Sequence, residues 1–203
     1  MLNGYMAADA QPTKDNPAGQ VLETLALIAT TIISRAHPIR FRLAQTDAER
    51  EDIYRLRYIT IIERGWAKAE DFPMSAERDE YDDVALHIAG FDGNLLVACA
   101  RLVFPADSRS LPTERAFDLT IEPRGCVADL SRQIVMRSHS SRQHAIFSAL
   151  LARCWLEAQA RNYNYICGDF TPSMIRLYRH IGLQVTVLGP SRMYWGEERM
   201  PIV

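Results

Sequence analysis

Lysine and cysteine are both scarce in this chain of 203 residues. It has two lysines and four cysteines, and no two cysteines form a C-x-x-C pair. Widely spaced cysteines argue against a structural zinc site and a disulfide framework, and they are typical of proteins from a reducing compartment. We therefore expect a cytoplasmic protein that is stabilised by its hydrophobic core, which a chain of this length is large enough to form.

Long hydrophobic runs and an excess of positive charge are missing too. The longest apolar stretch, residues 21–34, contains Glu23 and is shorter than the ~20 residues that cross a bilayer. No basic segment precedes this stretch, so it does not read as a signal peptide. The net charge of −2 argues against nucleic-acid binding through overall charge. We expect neither stable membrane insertion nor a nucleic-acid partner.

The charges that are present are unevenly distributed. Residues 51–90 contain ten acidic and five basic residues, whereas residues 91–203 contain thirteen basic residues, all arginine, and ten acidic ones. Arginine binds carboxylates and phosphates through a planar fork that lysine lacks. The bias suits a protein with anionic partners, although genome composition produces the same bias.

Hydrophobic periodicity predicts the element order β-α-β-β-β-α-β-α-β. Thr46 and Glu49 form a capping-box pattern that opens a helix through about Arg64. Asp92-Gly93-Asn94 is typical of the turn of a β-hairpin. The other predictions are a mobile tail over 1–19, a loop over 105–125, helices over 20–36, 142–161 and 173–181, and strands over 39–43, 84–91, 95–104, 126–136, 163–168, 184–188 and 193–203. This order indicates an α/β or α+β sandwich, a mixed sheet with helices on both faces.

Charged residues interrupt two of the predicted strands. Arg101 shares a strand face with apolar residues, and a buried arginine needs an anionic partner. Asp129 and Arg132 lie three apart on the next strand, so strict alternation places them on opposite faces, whereas a β-bulge would bring them to one side. The plain alternative is that these three residues form structural ion pairs with each other or with the acidic loop before the hairpin.

That acidic loop is the run ERDEYDD at residues 77–83. Asp79 and Asp82 are three residues apart and flank Tyr81. A charge run is usually a solvated loop. This one leads directly into a buried hairpin, where a pair of carboxylates could hold a cationic amine.

These segments together resemble a known group of enzymes. The runs YRLRY, ERGW, ERDEYDD, HIAGFDGNLLVACARLVFP and ADLSRQIV, in this order, are similar to the N-acyl-homoserine lactone synthases and the N-acyl amino acid synthases, which are GNAT-like acyltransferases. The resemblance covers roughly residues 50–190. The lactone synthases have an arginine, a tryptophan, two acids three apart, an Arg-Leu ending a strand and an acid-x-Ser-Arg. The matching residues here are Arg57, Trp66, Asp79, Asp82, Arg101, Asp129 and Arg132.

Departures from the lactone synthases favour the amino acid synthases. The lactone synthases usually have glutamate at Asp129, phenylalanine near Ile61, and a threonine-rich strand end where this chain has Cys-Gly-Asp-Phe at 167–170. The spacing to Trp66 is also one residue short. The segments LPTERAF (111–117) and LYRHIGL (177–183) are more similar to the N-acyl amino acid synthases. The resemblance implies a mostly antiparallel GNAT-like domain over residues 39–203, preceded by a tail and amphipathic helix over 1–38.

The resemblance also implies the reaction. A fatty acyl thioester on acyl carrier protein is attacked by the free amine of an amino acid, with tyrosine as one candidate, and yields an amide and a thiol. The phosphopantetheine arm of the carrier serves as donor, with no other cofactor, and none of the five histidines has a metal-ligand spacing. Two alternatives remain, a lactone synthase that uses S-adenosylmethionine and an inactive GNAT-like binding domain.

Several catalytic roles follow as hypotheses. Backbone N–H groups near Gln133, Ile134 and Val135 polarise the thioester carbonyl. Tyr178 resembles the GNAT tyrosine that protonates the leaving thiolate, but it also suits a helix core. The amine proton goes to an acid of the motif, and the acceptor carboxylate binds a motif arginine. The candidate acids are Asp79, Asp82 and Asp129, and the candidate arginines are Arg101 and Arg132.

The remaining candidates concern binding. Arg57 and Trp66 are expected to contact substrate because they match the pattern. Trp66, Phe147 and Trp155 are candidates for an apolar acyl tunnel, or are plain core residues. GNAT enzymes that use coenzyme A cradle its pyrophosphate in a glycine-rich turn, and the matching turn at 136–145 has no glycine, which favours acyl carrier protein. The arginines expected to dock it, unless they are ordinary exposed residues, are Arg137, Arg142, Arg153 and Arg161.

Overall fold

A computed structural model describes residues 17–106, 109–180 and 182–203. Residues 1–16 of the predicted tail over 1–19 lie outside these ranges. Ile181, the last residue of the predicted helix over 173–181, lies outside them too. None of the helices in the described ranges combines the length and the apolar character needed to cross a membrane.

The described residues form a seven-stranded sheet in the order β1-β2-β3-β4-β5-β7-β6. Its strands are β1 (Arg40–Leu43), β2 (Leu86–Asp92), β3 (Leu95–Val103), β4 (Val127–Val135), β5 (Tyr165–Phe170), β6 (Arg192–Tyr194) and β7 (Glu197–Ile202). Only the β4–β5 pair is parallel, and all other neighbours are antiparallel. The predicted mixed, mostly antiparallel sheet is confirmed.

Helices cover both faces of this sheet, as predicted. They are α1 (Pro17–Ser34), α2 (Asp47–Glu63), α3 (Pro112–Phe117), α4 (Gln143–Gln159) and α5 (Pro172–His180). On β2, Ile88 packs in a core cluster with Ile146 and Leu150 of α4. The next residue, Ala89, packs on the opposite face in a cluster that contains Ile53 of α2. The helix α1 lies against α4, so it adds a further layer on the face of the sheet that α4 covers.

The start of α2 shows how local sequence sets an element. The side chain of Thr46 accepts a hydrogen bond from the Glu49 N–H at 3.2 Å, and the Glu49 carboxylate accepts from the Gln45 N–H at 2.7 Å. The first bond satisfies a backbone donor that the first helical turn leaves free, and the second satisfies the N–H of the residue before the cap. The helix ends before Gly65, which adopts a φ of +67°, so the predicted span is confirmed to within one residue.

Two predictions about the connections are wrong. The predicted loop over 105–125 contains the six-residue helix α3, which is too short to produce a helical period in the sequence. The predicted strand over 184–188 is not a strand: Thr186 and Leu188 bond to the backbone of residues 201–203, but only one isolated bridge, between Val187 and Ile202, forms. The adjoining edge of the sheet is built by the C-terminal hairpin β6–β7.

The sheet opens into a cleft between β4 and β5. These strands pair with each other only where residues 127–129 lie beside 165–167. Beyond that point β4 stays paired with β3 and β5 pairs with β7, so the two strands separate. At the point of separation, a Cβ atom on Gly168 would lie 2.7 Å from the carbonyl oxygen of Leu130 and 2.7 Å from the Phe170 ring. A glycine is therefore required where the two strands part.

Candidate active site

A β-bulge in β4 shapes the floor of the site. Cys99 pairs with Ile134, but Arg101 pairs with Ser131, so β4 has one residue more than β3 across this interval. Arg132, within the bulge, adopts a φ of +54°. The bulge brings Arg132 to the face that carries Arg101 and Asp129, which is one of the two arrangements that the sequence left open.

The first part of the charged site is built around Arg57 of α2, which is fully buried. Its Nη1 donates to Asp82 Oδ1 at 2.7 Å and its Nη2 donates to Asp82 Oδ2 at 3.1 Å. Its Nε donates to Glu77. One guanidinium therefore binds two carboxylates of the loop before β2, and so attaches this loop to α2.

Two further arginines extend this arrangement onto the sheet. Arg101 Nη1 donates to Asp79 Oδ1 at 2.6 Å and lies 3.2 Å from Asp82 Oδ1. Arg132 Nη2 donates to Glu77 Oε1 at 2.9 Å and to Asp79 Oδ2 at 3.1 Å. We call the six residues the ion network: Arg57, Arg101, Arg132, Glu77, Asp79 and Asp82.

The ion network balances three arginines against three carboxylates, which makes its burial tolerable. Glu77 is a member that the sequence analysis missed, although it begins the ERDEYDD run. Burial alone would raise the pKa of Asp82, but the adjacent Arg57 and Arg101 hold that pKa well below its ordinary value. Asp79 also binds two arginines, Arg101 and Arg132, one through each carboxylate oxygen. Both aspartates are thus committed to arginine, which argues against either one as a proton acceptor.

Asp129 lies outside the ion network, although it shares the sheet face. It is fully buried beneath α3, where its Oδ2 accepts from the Thr113 N–H at 2.8 Å and lies 3.7 Å from Cys167 Sγ. Its Oδ1 has no hydrogen-bond partner within the described ranges. Burial raises the pKa of Asp129 to about 6, against the opposing effect of its hydrogen bond from Thr113. The direct pairing of Asp129 with arginine that the sequence suggested is not formed.

Asp129→Asn is expected to stabilise the protein at neutral pH by about 2 kcal/mol. A carboxyl whose pKa is higher in the folded than in the unfolded state contributes stability at pH values below its unfolded pKa. That contribution is lost as the pH rises through its folded pKa, which is about 6 for Asp129. The amide keeps an oxygen for the Thr113 N–H and carries no charge.

Urea unfolding at pH 4 and pH 7 measures this gain, with the exposed Asp52→Asn as the matched control. An advantage of the same size at both pH values would contradict the explanation.

The cleft between β4 and β5 contains a cavity of about 290 Å³. Its apolar lining consists of Ile61, Leu130, Ile134, Val135, Phe147, Phe170 and Met174, and its polar and aromatic lining includes Arg64, Trp66, Arg132, Gln133, Asp169, Trp195, Glu197 and Arg199. Of the predicted binding and catalytic residues, six therefore reach the cavity: Trp66, Arg132, Gln133, Ile134, Val135 and Phe147. Arg57, Asp79, Asp82 and Arg101 lie behind Arg132 in the ion network, and Asp129 lies beneath α3.

The C-terminal hairpin contributes part of the lining that the sequence analysis missed. Arg132 lies over the Trp195 ring at 4.7 Å, and Arg199 lies over the Trp66 ring at 5.4 Å. Arg199 Nη1 also donates to Asp169 Oδ1 at 3.0 Å. A signal for Asp169 was present, since it is the charged residue in the Cys-Gly-Asp-Phe segment that replaces the threonine-rich strand end.

Two predicted site residues lie away from the cavity. Tyr178 is only 4% exposed and packs against Phe170, Ile175 and Ile202. Its hydroxyl has no hydrogen-bond partner in the described part of the chain, and burial raises its pKa. The amphipathic α5 turns the Tyr178 ring into the core, so this placement favours the core alternative, and the role of Tyr178 in protonating the thiolate stays a prediction. Trp155 of α4 does not line the cavity either, so its place in an acyl tunnel stays a prediction.

Three of the four predicted docking arginines are engaged within the chain. Arg142 donates to the backbone oxygens of Ala36 and His37. Arg153 and Arg161 both bind the carboxylate of Glu157, one helical turn away on α4. Arg137 is exposed and has no hydrogen bond or ion pair within the described ranges. We find no group of three or more potential metal ligands in those ranges.

Comparisons with known proteins agree with this architecture. A family model described as the N-acyl amino acid synthase FeeM matches residues 52–203. No curated protein gives a significant sequence match.

Solved structures of similar fold include two kinds of acyltransferase. MesI, a CoA-dependent acyl-homoserine lactone synthase, is 21% identical over 80% of this chain and 87% of its own, with a TM-score of 0.65. FeeM, an N-acyl amino acid synthase from uncultured soil microbes, is 17% identical over 81% and 88%, with a TM-score of 0.60. TofI, in a complex with an inhibitor and MTA, is 24% identical over 81% and 89%, with a TM-score of 0.62. The structural likenesses show the fold, and the family match shows that this chain is an acyltransferase belonging to the FeeM family of N-acyl amino acid synthases.

Proposed function

We propose that this enzyme transfers a fatty acyl group from the phosphopantetheine thioester of an acyl carrier protein to the α-amino group of an amino acid. The observation that carries this proposal is the lining of the cavity. Arg132 and Arg199 offer positive charge and Asp169 and Glu197 offer negative charge, beside apolar residues from α4, α5 and β4. Charges of both signs suit the ammonium and carboxylate of an amino acid, and the apolar lining suits an acyl chain.

The edge of β4 supports acyl transfer. Beyond Asp129 this edge has no strand partner on the β5 side, so its N–H groups are available to a thioester arm inserted in the cleft. A carbonyl placed beside Gln133–Val135 would receive hydrogen bonds from these groups as negative charge develops on its oxygen. Attack by the amine then forms the amide bond and releases the thiol of the arm.

The turn before α4 supports a carrier protein as donor. Residues 137–142 form a 3-10 turn without glycine, so side chains stand where a diphosphate would have to approach the backbone closely. The exposed Arg137 at this turn offers a positive charge to an acidic carrier. We propose a cytoplasmic location, which the four free cysteines support, and an acyltransferase domain over residues 39–203, which the family match from residue 52 onward supports.

Purified protein tests the donor and the acceptor together. We expect mass spectrometry to detect N-acyl amino acids when the protein is mixed with acyl carrier protein thioesters and a panel of amino acids that includes tyrosine. Acyl-homoserine lactone formed from S-adenosylmethionine, with release of methylthioadenosine, would instead assign the protein to the lactone branch. Equal turnover with acyl-CoA would contradict the choice of donor.

The variant Arg137→Glu should raise the KM for the carrier thioester and leave the KM for the amino acid unchanged. The control is Arg55→Glu, the same change on the other face of the sheet.

A further inference from the structure

We propose that Asp169 binds the amine of the acceptor and takes one of its protons, and that Arg199 is the positioning residue that orients this carboxylate. The inference rests on the proposed function and extends it, because it assigns the acceptor amine to a residue outside the motif. Asp169 thus replaces Asp79 and Asp82 as the proposed acceptor of the amine proton.

The position of Asp169 on the sheet carries the argument. Cys167 of β5 directs its Sγ at Asp129 Oδ2, so Asp169, two residues further along the strand, lies on the same face. Phe170 lies on the opposite face, where it packs on Tyr178 and borders the cavity from that side. Asp169 therefore shares its face with Asp129 and Arg132 and lines the cavity across the cleft from the β4 bulge.

The carboxylate of Asp169 is available in a way that those of the ion network are not. Asp79 and Asp82 each bind two arginines. Asp169 binds only Arg199, through Oδ1, and its Oδ2 has no hydrogen-bond partner among the described residues. Burial raises the pKa of Asp169 even though Arg199 opposes the effect. A buried carboxylate that is paired through one oxygen suits the acceptance of a proton.

Arg199 is held from several sides, which is why it can orient Asp169. Its Nη2 donates to Glu197 Oε2 at 3.0 Å, and its guanidinium lies over Trp66. The charged groups that act on Asp169 are thus Arg199 and, at longer range, Arg132 and Asp129, with Glu197 acting through Arg199. Removal of Arg199 would leave the negative charge of Asp169 without its nearest partner.

The proton balance gives Asp169 a definite task. An acceptor that arrives as an ammonium loses two protons when its nitrogen becomes an amide. Asp169 takes one, which frees the lone pair that attacks the thioester carbon. The C–N bond forms, the C–S bond breaks, and the thiolate takes the second proton to become the thiol. Asp169 then returns its proton to solvent.

The test compares Asp169→Asn with the wild-type enzyme across pH, for whichever primary amine the wild type acylates. We expect kcat to fall by at least about 100-fold, KM for the amine to rise, and the acidic limb of the pH profile to disappear. Asp92→Asn, the same change on a carboxylate away from the cavity, is the control. Arg199→Gln should move the acidic limb to higher pH, because loss of the cation raises the pKa of Asp169 further, and Arg199→Lys should restore it.

The possible results separate the two proposals. Wild-type kcat and an unchanged pH profile in Asp169→Asn would overturn this inference and leave the proposed function intact. If Asp169→Asn does not fold, an unmoved acidic limb in Arg199→Gln overturns the inference by itself. If the wild-type enzyme acylates no amine, the proposed function fails and this inference fails with it.

Discussion

Replacement of Arg57 by methionine is expected to lower the free energy of unfolding by about 3–5 kcal/mol at pH 7. The guanidinium is fully buried and binds both Glu77 and Asp82. Methionine fills part of the volume but leaves two carboxylates in the interior without their main counter-ion, and this deficit is a large part of the ~5–15 kcal/mol that stabilises a typical domain.

The pH dependence of this loss gives a second check. A carboxyl whose folded pKa is depressed, as that of Asp82 is, contributes stability above its unfolded pKa, and the contribution is lost as the pH falls through the folded pKa. In Arg57→Met most of this contribution is absent. The difference between wild type and variant should therefore shrink as the pH falls below about 4, the unfolded pKa of aspartate.

Urea denaturation followed by circular dichroism measures both effects. Arg55→Met is the control, since it makes the same replacement on the exposed side of α2, and it should cost less than about 1 kcal/mol. A loss from Arg57→Met as small as that of the control would show that the ion network adds little to the stability of the fold.

The second large effect is expected in catalysis, from Arg132→Lys. We expect kcat/KM for the acceptor to fall by about 1000-fold. Arg132 spans the β4 bulge and the acidic loop through bonds from Nε and Nη2 to Glu77 and from Nη2 to Asp79. Its Nη1 makes no hydrogen bond within the described ranges, and the residue lines the cavity. A lysine keeps the charge but has no fork to bind the loop and a ligand at once.

The loss has two physical sources. The first is a weaker hold on the acceptor carboxylate, which should raise KM. The second is movement of the neighbouring backbone at Gln133–Val135, which would misplace the N–H groups that face the thioester and lower kcat. Steady-state kinetics with varied donor and acceptor separate the two. Near-normal turnover in a correctly folded Arg132→Lys protein would exclude Arg132 from the assigned role.

The ion network explains why the motif residues are distributed over the chain. Arg57 comes from α2, the three carboxylates come from the loop before β2, Arg101 comes from β3, and Arg132 comes from β4. Their bonds join two layers of the fold directly beside the cavity. We infer that the network mainly holds the acidic loop and the β4 bulge in place, while Arg132 is the network member that also lines the cavity.

Local chemistry in the sequence determined much of the fold. The Thr46–Glu49 cap and the apolar period of α2 depend on residues within a few positions of each other, as does the hairpin turn, where Gly93 adopts a φ of +60°. The motif residues were also identified from their order and spacing. Their shared position on one sheet face depended on the bulge at Arg132, which the alternating pattern allowed but did not require.

Tertiary packing alone decided which of the candidate residues line the cavity. Tyr178 lies on the buried face of the amphipathic α5 and packs in the core, whereas Asp169 of β5 lines the cleft. Arg142, Arg153 and Arg161 have exposed-helix patterns, but acceptors within the chain bind them. Sequence by itself determined most of the elements, the fold class and the family resemblance. The partners of each charge depended on strands and helices far apart in the chain, which only the folded structure brings within hydrogen-bond distance.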